Sequence, residues 1–290
     1  LMANTGRPFS TNFPSALFLR EDEISQRISE IEKLSFLNTR STVRITNLIS
    51  CLDLTSLNAV DTPEAIDSLL QKAILPLAGN SVKVAAVCVF QPFVAQCVSC
   101  LKDLEIDVAC VAGGFPSGQM DVVVKCADIE RSVALGANEI DVVINRTHPL
   151  TENWEALYNE VRAFKKSCGS AHLKVIIATG ELQSHALISK TSWICMLAGA
   201  DFIKTSTGLE KVNATLEAGL LMMTAIREYH ILTDCKVGFK PAGGIRNTVQ
   251  AQQWIQLLKE ELGVAWANKT LFRIGASSLL DDLVNTYTKN

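Results

Sequence analysis

The chain has 290 residues, with 27 Lys and Arg against 30 Asp and Glu, a net charge of −3. With 48% hydrophobic and 20% charged residues, it is long and apolar enough to bury a large core, which excludes disorder as its main state. A near-neutral balance at pI about 5.9 argues against charge-driven binding of nucleic acid or a lipid surface, and the uncharged runs Val84–Phe90 and Leu220–Ile226 fall well short of a bilayer span.

Residues 1–20 read as an irregular lead-in, with Leu1 ahead of Met2 as an added residue and no basic-then-apolar leader, so the expected setting is cytoplasmic. Ile24, Ile28, Ile31 and Leu34 recur at helical spacing, which predicts a helix over Ile24–Leu37. From there β-type runs alternate with amphipathic stretches. Strands are expected at Leu48–Leu52, Val84–Val89, Asp107–Val111, Glu139–Ile144, Leu173–Ala178, Asp201–Ile203, Lys236–Phe239 and Leu271–Ile274. Helices are expected near Pro63–Leu77, Pro92–Leu104, Asp121–Leu135, Trp154–Ser167, Ser184–Ala198, Asn213–Glu228, Val249–Leu262 and Ser277–Tyr287. Eight βα units of this length predict a (β/α)8 TIM barrel with an additional N-terminal helix, forming one domain over 1–290. An open doubly wound sheet is the rival architecture, but no G-x-G-x-x-G follows the first strand and no G-K-[ST] loop occurs.

A barrel carries its chemistry at the C-terminal ends of its strands. Strand one runs into Leu52-Asp53-Leu54-Thr55. In strand four the period of two puts Ile140, Val142 and Ile144 on the helix side, and Glu139 and Asp141 toward the barrel interior. A carboxylate in an apolar parallel strand demands a charged partner. Strands six and seven each end in a lysine, Lys204 and Lys240, followed by loops of small residues. At neighbouring strands roughly 5 Å apart, like charge and desolvation would lower an amine's affinity for its proton, which suits nucleophilic attack on a carbonyl. Gly243-Gly244 and the Ser277-Ser278 turn leading into the last helix have the character of a phosphate cradle.

Other chemistries find less. The odd number of cysteines, nine, lies mostly in apolar runs and reads as reduced thiols. The single C-x-x-C, Cys97 and Cys100, lacks the partners of a zinc site. The four histidines are scattered, so no metal is expected, and no G-x-S-x-G elbow is present. Cys88, ending strand two, is either a pocket residue or a packing residue. Met222, Met223 and Trp254 fall at helical spacing and read as core.

The segments VAGGFPSGQ (111–119), GANEIDVVINR (136–146), LKVIIATGEL (173–182), GADFIKTSTG (199–208), GFKPAGGIR (238–246) and FRIGASSLL (272–280) resemble the deoxyribose-phosphate aldolase family. The likeness runs from about Asp53 to Leu280. It implies a class I aldolase that splits 2-deoxy-D-ribose 5-phosphate into acetaldehyde and glyceraldehyde 3-phosphate, with no metal or other cofactor. By motif, Lys204 resembles the Schiff-base lysine, Lys240 the second lysine that perturbs it, and Asp141 the proton-relay acid. Asp53 and Lys174 match polar pocket positions. Thr207, Gly208, Gly243, Gly244, Ser277 and Ser278 match sugar- and phosphate-binding positions.

Two departures stand out. Family members commonly read KTSTGK, whereas Leu209 holds the final position here and Lys211 lies two residues on. They also commonly carry a C-terminal Tyr, and Tyr287 stands too early to match it. The leading expectation is therefore an active aldolase acting on a small phosphorylated sugar, with a homodimer as its common assembly. The alternative is an aldolase-like barrel of weak or lost activity serving as a binding or scaffold protein, its partner unnamed. A third reading, an aldolase for another short aldehyde, rests on Leu209.

Overall fold

The computed structural model describes residues 3–35 and 41–289. Eight parallel strands alternate with helices in the sheet order β7-β6-β5-β4-β3-β2-β1-β8. The strands are β1 Leu52–Thr55, β2 Ala86–Val89, β3 Asp107–Ala112, β4 Glu139–Val143, β5 His172–Ile176, β6 Phe202–Lys204, β7 Gly238–Lys240 and β8 Ile274–Ala276. Bridges Phe239↔Phe272 and Ala242↔Gly275 link the two ends of that order into a (β/α)8 barrel. Between these bridges stands Pro241, which has no N–H to donate, so the ladder is interrupted there.

The helices are α1 Glu21–Ser35, α2 Thr42–Ser50, α3 Pro63–Ile74, α4 Val94–Cys100, α5 Val122–Ala134, α6 Thr147–Leu150, α7 Trp154–Cys168, α8 His185–Leu197, α9 Leu216–Thr233, α10 Thr248–Leu262 and α11 Leu279–Thr288. Several begin on side-chain caps that occupy otherwise unpaired N–H groups: Thr62, Asp121, Asn153, Ser184, Thr215 and Asn247 each accept from the first turn. Helices α8 and α9 are buried along most of their length, and Met222, Met223 and Trp254 lie in the core as expected. No helix among the described residues is long and apolar enough to cross a membrane.

The structure corrects the chain-order expectations at four places. Leu48–Ser50 closes α2 rather than opening β1, because Ile45, Leu48 and Ile49 form a buried stripe at helical spacing. Two helices therefore precede the barrel instead of one. The last turn expected for α1 falls partly on 36–37, outside the described residues, as do Leu1 and Met2. The stretch after β2 opens as a 3-10 turn at Gln91–Phe93, and α4 ends at Cys100, four residues short of the expected Leu104. Strand β8 begins only at Ile274, since Leu271 and Phe272 turn back onto Asn268. The lead-in is tied down more than expected. Asn4 is 2% exposed, its amide donates to the carbonyls of Met196 and Ala200, and its own carbonyl accepts from the Tyr229 hydroxyl.

Candidate active site

Parallel pairing sets the heights of the inward side chains. Lys204 of β6 lies directly opposite Lys240 of β7, and Asp141 of β4 opposite Lys174 of β5. All four are buried, as are Asp53, Glu139 and Arg273. Asp141 Oδ2 accepts from Lys204 Nζ and from Lys240 Nζ, each at 2.7 Å. Its Oδ1 accepts no hydrogen bond, with the Lys174 ammonium 3.2 Å away. Lys240 and Lys174 also donate to Asp53 Oδ2, the latter at 3.1 Å, and Lys174 donates to Glu139. Beneath them Arg273 donates to Asp53 Oδ1 at 2.7 Å and to both oxygens of Glu139, at 3.0 and 2.8 Å. Gly275 makes room for this stack: a Cβ there would stand 3.1 Å from Lys240 Cε.

The inner tier thus holds four cations, Lys174, Lys204, Lys240 and Arg273, against three buried carboxylates, Asp53, Glu139 and Asp141. Burying charge is costly unless it is paired, so an excess of positive charge in a dry interior is relieved by loss of a proton. Lys204 is the group placed to lose it. Burial pushes its proton affinity down; Asp141, the single carboxylate it contacts, pulls it up, and Lys240 pushes it down again, for a net lowering. Lys240 and Lys174 face the same burial, but each has more than one carboxylate and both are held above the ordinary lysine value. Burial would raise Asp53 and Asp141. Lys174 and Lys240 outweigh it at both, joined by Arg273 at Asp53 and by Lys204 at Asp141, and hold them below the usual carboxylate range.

Above Lys204 opens a cavity of about 240 Å³. Its walls are the loops after β1, β6, β7 and β8, and Thr207, Gly208, Leu209, Gly243, Gly244, Ser277 and Ser278 all line it. Gly243, at φ 85°, packs against Asn213, where a Cβ would lie 2.7 Å from the Asn213 Cβ. Leu209 is 59% exposed on the rim. Of the residues singled out from the sequence, Lys204 and these loop residues share the cavity, while Lys240 and Asp141 support Lys204 from below. Asp53 and Lys174 do not line the cavity; they belong to the ionic tier beneath it. Cys88 packs with Ala109 and Val111 beside Leu57, Phe90 and Phe115, with burial pushing its thiol up, so it forms apolar wall rather than cavity lining.

Five residues of the site received no site role from the sequence. Arg246 lines the cavity; its position two residues beyond Gly244 is the signal that could have found it. Arg273 and Glu139 anchor the ionic tier, and Glu139 shares the inward face of β4 with Asp141. Glu210 folds back so that its carboxylate accepts from Thr207 N at 3.0 and 2.9 Å and from Gly208 N at 3.2 Å. Those two amides are thereby engaged within the loop. Arg146 clamps the neighbouring loops, donating to the carbonyls of Pro116 and Ser117 and pairing with Glu181 and Glu210.

This arrangement supplies an amine of lowered proton affinity, a carboxylate beside it and a cavity with one cation and several backbone donors. The family profile described as DeoC/LacD family aldolase matches residues 48–283. A Bos taurus protein named deoxyribose-phosphate aldolase is 49% identical over 247 residues, covering 81% of this chain and 78% of its own. A Toxoplasma gondii crystal structure superposes with a TM-score of 0.77 at 23% identity, over 86% of this chain and 95% of that one, a likeness of fold. A deoxyribose phosphate aldolase from Aeropyrum pernix, described as tetrameric, superposes with a TM-score of 0.67 at 23% identity, over 93% and 99% of the two chains.

Proposed function

This chain belongs to the DeoC/LacD aldolase family, and on that premise we propose that it is a class I aldolase cleaving 2-deoxy-D-ribose 5-phosphate to acetaldehyde and glyceraldehyde 3-phosphate. The observation that carries the reading is the Lys204 amine, buried at the foot of the cavity with Lys240 and Asp141 against it. The neutral amine adds to the C1 aldehyde of the open-chain sugar, and uptake of one proton with loss of water gives an iminium. Removal of the C3 hydroxyl proton then breaks the C2–C3 bond. The triose phosphate leaves as an aldehyde, and the electron pair passes into the iminium to form an enamine. Protonation at C2 and addition of water return the amine and release acetaldehyde.

Asp141 is the proposed proton carrier, by way of its Oδ1. At rest it is a weak base, because three lysines surround it. Its Oδ1 accepts no hydrogen bond at rest and so keeps a lone pair for the hydroxyl proton. The phosphate is assigned to the other end of the cavity, where Arg246 gives charge and Gly243, Gly244, Ser277 and Ser278 give donors. The alternative of a non-catalytic scaffold gains no support from the relative, which is named as an aldolase. A cytoplasmic setting and assembly as a homodimer belong to the same proposal.

The test is reductive trapping. Acetaldehyde or 2-deoxyribose 5-phosphate with borohydride adds mass to the peptide containing Lys204, and a coupled assay for the triose phosphate detects turnover. Label on another lysine, or none, refutes the assignment.

A further inference from the structure

We infer that Arg273 and Glu139 are positioning residues for this reaction: they fix the charge of the tier beneath Lys204 and so the pH range over which its amine attacks a carbonyl. The inference rests on the reading of Lys204 as the amine nucleophile. Neither residue lines the cavity, and neither exchanges a proton or forms a bond in the proposed cleavage. They are nonetheless joined to Lys204 by an unbroken line of charged contacts. Arg273 donates to Asp53, Lys240 bridges Asp53 and Asp141, and Asp141 accepts from Lys204. The groups facing Lys204 are Asp141 on β4, Lys240 on β7 and Cys88 on β2, and against Asp141 and Lys240 in turn stand Lys174 on β5 and Asp53 on β1. Behind them stand Arg273, Glu139 and Asp107, the last 42% exposed and 3.2 Å from the guanidinium.

The consequence is a matter of sign. With every group ionised, the four cations and three buried carboxylates of this tier leave one positive charge in excess. Arg273→Gln abolishes that excess, so Lys204 keeps its proton to higher pH. Glu139→Gln enlarges it, so Lys204 releases its proton at lower pH. At an effective dielectric of about 20, a unit charge about 10 Å away moves a titration by roughly one pH unit. A packing defect has no reason to move the two variants in opposite directions.

The experiment follows trapping of acetaldehyde at Lys204 with cyanoborohydride by mass spectrometry across pH, each variant divided by wild type at the same pH so that the reagent's own pH dependence cancels. The expected acidic limb lies about one unit higher in Arg273→Gln and about one unit lower in Glu139→Gln. Arg273→Lys leaves it in place, and the double Gln variant returns it to the wild-type position. Asp107→Asn, at the half-exposed end of the line, moves it downward by less. If Arg273→Gln does not fold, Glu139→Gln and Asp107→Asn carry the sign, and an upward or absent movement in Glu139→Gln overturns the inference. Wild-type trapping at Lys204 with limbs that do not separate overturns this inference alone. Absence of trapping at Lys204 in the wild type overturns both it and the reading on which it rests.

Discussion

Replacing Lys240 by Leu isolates the electrostatic part of the proposed mechanism. The Nζ atoms of Lys204 and Lys240 each lie 2.7 Å from the same oxygen of Asp141, so at most 5.4 Å separates them. At an effective dielectric of about 20, two unit charges about 5 Å apart repel by ~3 kcal/mol. At 1.36 kcal/mol per pH unit this corresponds to about two units, or roughly a hundredfold change in the neutral fraction of an amine titrating above the working pH. The variant is expected to lose roughly a hundredfold in kcat/KM near neutrality, with its acidic limb displaced upward by about two units and much of the loss recovered in alkali. Asp53 and Asp141 keep Lys174 as a partner, and Asp53 keeps Arg273, so the barrel has counter-ions left; far-UV circular dichroism checks that it folds. The assay is the pH profile of triose phosphate release from 2-deoxyribose 5-phosphate. Near wild-type activity, or a loss whose limb has not moved, refutes the coupling.

Three further expectations follow from the same geometry. Asp141→Asn should lower kcat by roughly 10²- to 10⁴-fold while acetaldehyde trapping at Lys204 persists, since the carboxylate raises that amine's proton affinity; equal loss of both contradicts a proton-transfer role. Leu209→Lys should lower KM for the phosphorylated sugar by only roughly three- to tenfold, because the site is exposed and Arg246 already brings charge; unphosphorylated 2-deoxyribose should be unaffected, and an equal change for both removes Leu209 from the phosphate end. The carboxyls of Asp53, Glu139 and Asp141 are held below their ordinary values, so their contribution to stability is complete above the unfolded carboxylate range of about 4. It drains as the pH falls through that range toward the folded values, and Tm measured by calorimetry should drop between about pH 5 and 3; a Tm that holds or rises on acidification contradicts this.

Strand and helix alternation made the barrel legible, because parallel strands covered on both faces are continuous apolar runs. The inward aim of Asp141 and the level pairing of Lys204 with Lys240 followed from period two and from where each run ends. Leu48–Ser50 was misread because a short apolar run has no period of its own, and the preceding Ile45 decides for the helix. Asp53 and Lys174 matched polar pocket positions through the family resemblance, but their place in a lower tier could not be read, since height within a barrel depends on strand register. Arg273 could not be found for the same reason: its partners are 220 and 134 residues away in sequence. Glu210 was hidden differently, as its role depends on a loop folding back on itself.

The bond between Arg273 and Asp53 also orders events during synthesis. It joins the first strand to the residue that precedes the last, across 220 residues, and Asp53 in turn holds Lys240 and Lys174. A ribosome that has delivered β1 through β7 has made the lysines and all three buried carboxylates, yet the guanidinium that neutralises Asp53 and Glu139 is still to come. Contacts so distant in the chain form late, after closure of the intervening loop has been met by other gains. The ionic tier therefore locks only when the last strand docks. On the proposed mechanism, competence to form the imine would then arrive with the last strand rather than be built up strand by strand.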